Sequence, residues 1–380
     1  MTDAVVTGIG TVTPAGGDVA ETWAALLRGR SVIATWPDLL AEGLPVGVAA
    51  RVADDRLADP SRRGRDLAAV AAGEALAQAG LSHPGTAGVF VGTTMGESAV
   101  FEQSAETGVF DLAEGGGDAI ASDLAARLGL SGPVRTYGTA CAAGNYAIGA
   151  AAGAVEAGAA DVVLAGGVEP FSRLALLGFA RMRAVDPGGC RPFGAGRRGM
   201  TLGEAAAFLV VEHADHARAR GATVLARIGG LGLAADAHHP TAPDPAGVGM
   251  AAAMSAGLAR AGVEAGEVGW VSAHGTGTPL SDAAEALALH RVFGAQPPPV
   301  SSVKGVLGHS LGAATAVEAV VAVCALRDRL LPPNGGVDEV DPALELDVVG
   351  EPRPVDDLGW VLSCGYAFGG LDSALLVGSA

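Results

Sequence analysis

The stretch VSAHGTGTPLSDAAEAL, residues 271–287, decides the fold class. Its first residues continue the apolar run from Trp270, as a strand buried on both faces would. A Gly/Thr turn follows His274, and the alanines and leucines beyond it read as a helix. Strand, glycine turn and helix form the repeating unit of an α/β protein, and such proteins place ligands where strands end. Working outward, the same reading predicts strands over Ala4–Thr7, Gly88–Val91, Asp161–Ala165 and Trp270–Ser272. It predicts helices over Asp66–Ala79, Ala142–Ala157, Gly247–Ala261, Asp282–Val292 and Leu311–Arg327. This alternation argues for mainly parallel sheets. The end differs: Trp360–Cys364, the turn YAFGG and Ser373–Val377 read as an antiparallel hairpin. VVTGIGT (5–11) repeats the strand-to-turn pattern of VSAHGTGT (271–278), a hint of duplication.

A chain of 380 residues exceeds one small core, so two halves are the default. The loop-like AADAHHPTAPDPAGVG (234–249) puts their boundary near residue 225, giving 1–225 and 226–380. Hydrophobic residues make up 49% and aromatics only 4%, so the core is Ala, Val and Leu, and 58 glycines let backbones close up. A net charge of −17 repels nucleic acid and anionic membrane. No long apolar run and no basic leader is read, so neither a membrane helix nor a signal peptide is expected. Cys141, Cys190, Cys324 and Cys364 lack CxxC or zinc spacing; reduced thiols in a cytoplasm are expected, with no metal.

Four stretches carry chemistry. In TYGTACAAGNYAIGAAAGAVEAG (136–158), Cys141 opens an Ala-rich helix, where the dipole should lower its pKa and favour thiolate. His274 stands at the strand end already quoted, and Asp282 and Glu285 behind it read as a solvated helix start. In SSVKGVLGHSLGAATAVEAV (301–320), a short strand should give Lys304, a turn His309, and a small-residue helix Glu318. Lys304 is the only lysine among 24 basic residues, and a charge on a closely packed helix needs a partner, which makes Lys304 the candidate for Glu318. In SCGYAFGGLDSALL (363–376), the glycines after Phe368 let backbone N–H groups approach a reacting centre. The remaining histidines, 83, 213, 216, 238, 239 and 290, read as surface or core residues. A thiolate can hold an acyl group, and two neutral histidines can donate hydrogen bonds to a second thioester as it becomes an enolate; such a site joins carbon to carbon by decarboxylation.

With these stretches, VVTGIGTVTPAG, TACAAGN, LAGGVE, CRPF, GEAAAFLVVE, HGTGTPLSDAAE, SSVKGVLGH and AFGG, in this order, make the chain resemble the β-ketoacyl-acyl-carrier-protein synthases of fatty acid and type II polyketide assembly. The resemblance implies a thiolase fold, two duplicated halves in a five-layer αβαβα sandwich, and decarboxylative Claisen condensation of a cysteine-bound acyl chain with malonyl carrier. It implies Cys141 as the acyl acceptor, His274 and His309 as the decarboxylating pair, Lys304 with Glu318 as their support, and the N–H groups of Cys141 and Phe368 as the oxyanion hole. Phe368 is similar to a gate. Phe179, Thr276, Thr278, Phe368 and Gly369 are the expected substrate contacts. Arg62, Arg63 and Arg65 of PSRRGRD, with Arg183, are the candidates for docking an acyl carrier protein. No resident cofactor is implied, since substrates ride on the carrier's phosphopantetheine. A homodimer, or a heterodimer with a chain-length-factor-like subunit, is expected. The chain departs from the family's usual FGFGGTN at Tyr366, Ala367, Leu371 and Asp372, and Gly194 stands where an Asp usually follows CRPF. These departures bear on substrate range. Competing readings are a non-condensing chain-length factor, which the cysteine argues against, a thiolase-like enzyme on free CoA esters, and an acyltransferase that loads Cys141 without condensing.

Overall fold

The computed structural model describes residues 3–380 except 55, 56, 58, 83 and 84. His83 therefore lies outside the described residues. Ten strands make the main sheet: β1 (Ala4–Val12), β2 (Gly88–Gly92), β3 (Val134–Tyr137), β4 (Val162–Glu169), β5 (Ala205–His213), β6 (Ala226–Ala235), β7 (Val268–Ser272), β8 (Val300–Ser301), β9 (Trp360–Ala367) and β10 (Leu371–Ser379). Their order is β8-β7-β9-β10-β6-β1-β5-β4-β2-β3. Read from its outer end, each half has its third strand, then second, fourth, fifth and first. The topology is thus duplicated, although VVTGIGT and VSAHGTGT are not its counterparts: the first lies wholly within β1, the first strand of its half, and the second ends β7, the second strand of the other. The two first strands meet through only two residue pairs, Val5 with Arg227 and Val6 with Ala226.

Helices complete the layers, chief among them α1 (Arg63–Gln78), α2 (Ala143–Glu156), α3 (Val248–Ala261), α4 (Pro279–Phe293) and α5 (Ala314–Asp328). The sequence of α5 shows no polar stripe, and every residue from Ala314 to Leu326 is buried. A helix apolar all round belongs inside. Together α2 and α5 form the middle layer, packing Ile148, Ala151, Val317 and Val320 against Leu209 and Val211 of one half and Leu375 and Val377 of the other. Outside, α1 with the helix Gly117–Leu128 covers the first half-sheet and α3 with α4 the second. This is the expected αβαβα sandwich. Close approach rests on glycine: a β-carbon on Gly10 of β1 would stand 2.0 Å from the carbonyl oxygen of Ala71 in α1.

Mainly parallel sheets were expected, and the sheet is mixed. The outer pairs β7/β8, β7/β9, β2/β4 and β2/β3 are parallel, whereas the five central pairings from β9/β10 to β4/β5 are antiparallel. Covered by helices on both faces, the antiparallel strands lose the in-out alternation that usually reveals them, and read like parallel ones. The terminal hairpin was expected and is present, but β9 runs on to Ala367, so its turn is only Phe368–Gly370. Among the described residues no helix is long and apolar enough to cross a membrane.

Candidate active site

The site forms where strands of both halves end. Cys141 sits in a single 3-10 turn, Ala140–Ala142, that leads into α2. His274 follows β7. His309 follows a one-turn helix, Lys304–Leu307, so Lys304 opens a helical turn and does not sit on a strand as expected; β8 has already ended at Ser301. The Nε2 of His309 lies 3.1 Å from Cys141 Sγ. The rings of His274 and His309 stand edge to face with centroids 5.4 Å apart, and the sulfur and one nitrogen of each ring fall within 4.8 Å of one another. Such a trio has metal-ligand spacing, but the Lys304 ammonium beneath it opposes a cation.

Lys304 is 1% exposed. Its ammonium donates to Glu318 Oε1 at 2.5 Å and to the carbonyl oxygen of His274 at 2.6 Å. The lone lysine therefore ties the middle helix to the histidine turn. His309 is pinned on both sides: its N–H donates to Thr201 and its carbonyl accepts from Gly203. Asp282 and Glu285 do not form the solvated helix start expected of them. Both are fully buried. Glu285 accepts from the N–H groups of His274 and Gly275 at 2.8 Å each, and Asp282 from those of Phe193 and Gly277. They hold the turn in place from behind. Burial, above all, pushes Glu285 up to about 8 and Asp282 up to about 6.

Burial also sets the charge of the reacting groups. It holds both histidines well below the usual imidazole range, with the Lys304 charge adding to it, so the rings are neutral. The expected lowering of the Cys141 pKa is not found. Burial pushes this thiol up to about 12, against the pull of Lys304 and of its own backbone N–H. A helix start is worth roughly 0.3–1 kcal/mol, too little to offset that burial.

A cavity of 270 Å³ opens from Cys141 to the surface. Cys141, His274 and His309 form its inner end, and Thr276, Thr278, Phe179, Phe368 and Gly369 line it, so these expected residues share one space. The Thr276 and Thr278 hydroxyls are 3.0 Å apart. Phe179 and Phe368 touch, with ring centroids 5.5 Å apart, and Phe368 is 38% exposed. Arg183 lies exposed at the outer end with Arg198, which the sequence reading missed. Also missed were the walls from residues 236–243 and Asp372; an irregular loop has no periodicity to mark which side faces a cavity. None of the other described histidines lines it.

Two docking candidates fail. Arg65 is 4% exposed and paired with Glu114, with Glu97 beside it. Arg63 is largely buried, forking onto Glu204 and the carbonyls of Val52 and Leu57. Both brace loops at the start of α1, as an arginine fork does best. Arg62 is half-exposed on Asp123, and none of the three lines the cavity.

Comparison with known proteins places this geometry. Residues 1–217 match the N-terminal domain of the beta-ketoacyl synthases and residues 225–338 their C-terminal domain. Nodulation protein E of Rhizobium meliloti (strain 1021) is 37% identical over 98% of both chains. The 3-oxoacyl-[acyl-carrier-protein] synthase 2 of the same strain is 34% identical over 99% of both. Among solved structures, the ishigamide ketosynthase/chain length factor superposes with a TM-score of 0.92 at 33% identity, over 100% of this chain and 99% of that one. Sequence and fold agree along the whole length, and the protein belongs to the β-ketoacyl synthase family, acyltransferases that condense acyl units in polyketide and fatty acid assembly.

Proposed function

We propose that Cys141 carries the acyl chain and that His274 and His309 drive decarboxylative condensation with malonyl carrier protein. The observation that carries this reading is the convergence of one thiol and two neutral imidazoles at the inner end of a single cavity. Sγ attacks the incoming thioester carbonyl, the S–C bond to the carrier breaks, and the Cys141 proton ends on the departing thiol. Malonyl carrier then enters and loses carbon dioxide. The electron pair left on its α-carbon delocalises onto the thioester oxygen, where an N–H of each imidazole holds it. An imidazolium would protonate that enolate; a neutral ring only stabilises it. The α-carbon attacks the Cys141 thioester, and Cys141 leaves as a thiolate that takes a proton from solvent. The reaction needs no resident cofactor. The four free, buried cysteines suit a reducing cytoplasm.

His274→Ala and His309→Ala should each lower release of labelled carbon dioxide from carrier-linked malonate by on the order of 10²–10³, the usual loss for one preorganised donor. Acylation of Cys141 should survive in part. Near-normal decarboxylation in both variants would favour an acyltransferase or a thiolase-like enzyme.

Partners follow from the surface. Arg183 and Arg198 place positive charge at the cavity's outer end on a chain of net charge −17, where an acidic carrier would have to dock. Arg183→Glu should raise KM for carrier-bound substrate about tenfold or more and spare a small thioester mimic. Equal loss on both substrates would mean a different docking face. A second subunit is supported by the free edge of β3 and by Val109, Phe110 and Leu112, which are 69, 67 and 74% exposed. It is either a second copy or a chain-length-factor-like chain, as in the ishigamide pair.

A further inference from the structure

The hairpin turn that bears Phe368 is fastened to residues 236–240. The N–H of Asp236 donates to the carbonyl of Gly370 at 2.9 Å, and that of Gly369 to the carbonyl of Pro240 at 2.8 Å. Gly369 and Gly370 both have positive φ, and a β-carbon on Gly370 would stand 2.7 Å from that of Asp236. Beside these bonds lie two carboxyls, Asp236 and Asp372, both on the cavity wall. Asp372 is 1% exposed. Asp236 Oδ1 and Asp372 Oδ2 are buried without a hydrogen-bond partner, and both converge on Gly249 at the start of α3, 2.3 and 2.5 Å from where its β-carbon would be. Any side chain there would separate them.

Among the described residues no Arg, Lys or His ion-pairs with either carboxyl. The other groups near Asp372 are the phenols Tyr146 on α2 and Tyr366, its register partner across the hairpin. From α3, Gly249 faces the two carboxyls and carries no charge. The residue 236–247 loop adds Asp244, whose N–H donates to Asp236 Oδ2, and the exposed His238 and His239. Two facing carboxylates with no cation between them cannot both ionise cheaply, and one proton between them resolves the conflict.

We propose that Asp372 and Asp236 share a single proton that latches the Phe368 turn to the cavity wall, which makes Asp372 a positioning residue for Phe368 in condensation. Burial first, then the Asp236 carboxyl facing it, push Asp372 up to about 8. Because this native value is raised, the latch is strongest at low pH and weakens as pH rises toward about 8, where Asp372 ionises and the two carboxylates repel. The role in condensation rests on the reading above; the latch itself does not.

Amide hydrogen exchange on the intact protein, without substrate, reads it directly. From about pH 6 to about pH 10, corrected for intrinsic exchange, peptides covering 236–245 and 367–371 should lose protection by up to roughly tenfold per pH unit until about pH 8 and then hold a lower, constant level. In Asp372→Asn the amide donates to Asp236 without titrating, so protection should no longer depend on pH. The alkaline limb of the condensation rate, scaled to each enzyme's own plateau, should vanish with it. Asp236→Asn is the reciprocal variant and should behave alike if Asp372→Asn fails to fold. Flat protection in the wild type, or an unchanged alkaline loss in the Asn variants, would overturn the latch. A working latch with an unchanged rate profile would overturn only its role in condensation.

Discussion

Cys141→Ala should leave a folded protein that accepts no acyl group. The truncation removes one buried sulfur, a loss of about 1 kcal/mol, comparable to a buried methylene. The chemical loss is total because no other cysteine substitutes. Cys190 donates its S–H to the carbonyl of Thr276, Cys324 is enclosed within α5, and Cys364 is buried in β9. Burial raises the pKa of all four thiols, so acidity does not single one out. What does is access to the cavity and the His309 nitrogen at 3.1 Å. Intact-mass analysis after incubation with an activated acyl thioester should show no adduct, and condensation should fall by on the order of 10⁴ or more. Slow carbon dioxide release from malonyl carrier should persist, since both imidazoles remain. An adduct mapped to Cys190, Cys324 or Cys364 would overturn the assignment.

Much of this site could be read in the sequence because its parts sit at breaks in pattern. Cys141, His274 and His309 each stand where an apolar run gives way to a turn, and turns at strand ends are where an α/β fold brings distant segments together. Lys304 showed itself by being the single lysine, and Glu318 by being an acid on a helix with no polar face. What stayed hidden depended on burial, which pattern does not report. Asp282 and Glu285 look the same from sequence whether they meet water or cap a turn. Arg63 and Arg65 look like a solvated basic run, yet they hold Glu204, Glu97 and Glu114. The thiol's acidity was misjudged for the same reason. The dipole of α2 follows from sequence, whereas the larger burial effect appears only once α2, the histidine loops and the hairpin close around the sulfur.

Lys304→Arg should fail although charge is kept. The ammonium reaches two oxygens in different directions, Glu318 Oε1 and the His274 carbonyl, within a wholly buried niche. A planar guanidinium is wider and presents its donors as a fixed fork. Room is lacking: Lys304 is already among the largest fully buried side chains of the protein, at 1% exposure. Overpacking of this kind costs about 1–3 kcal/mol. It would move the His274 turn, so condensation should drop at least about tenfold, or roughly 1.4 kcal/mol of transition-state stabilisation. Lys304→Met tests the other half of the contact. It leaves Glu318 buried without its cation, a loss of about 3–5 kcal/mol when the carboxylate is ionised. Burial already pushes Glu318 up to about 7 while Lys304 holds it down, and removing Lys304 sends it higher. A raised carboxyl favours the native state at low pH and withdraws that favour as pH rises toward its native value. Thermal unfolding should therefore show the Met variant closest to wild type near about pH 5 and furthest from it above about pH 7. An equal deficit at both would mean that Glu318 is not the partner that matters. A wild-type condensation rate in Lys304→Arg would make the lone lysine an accident of composition.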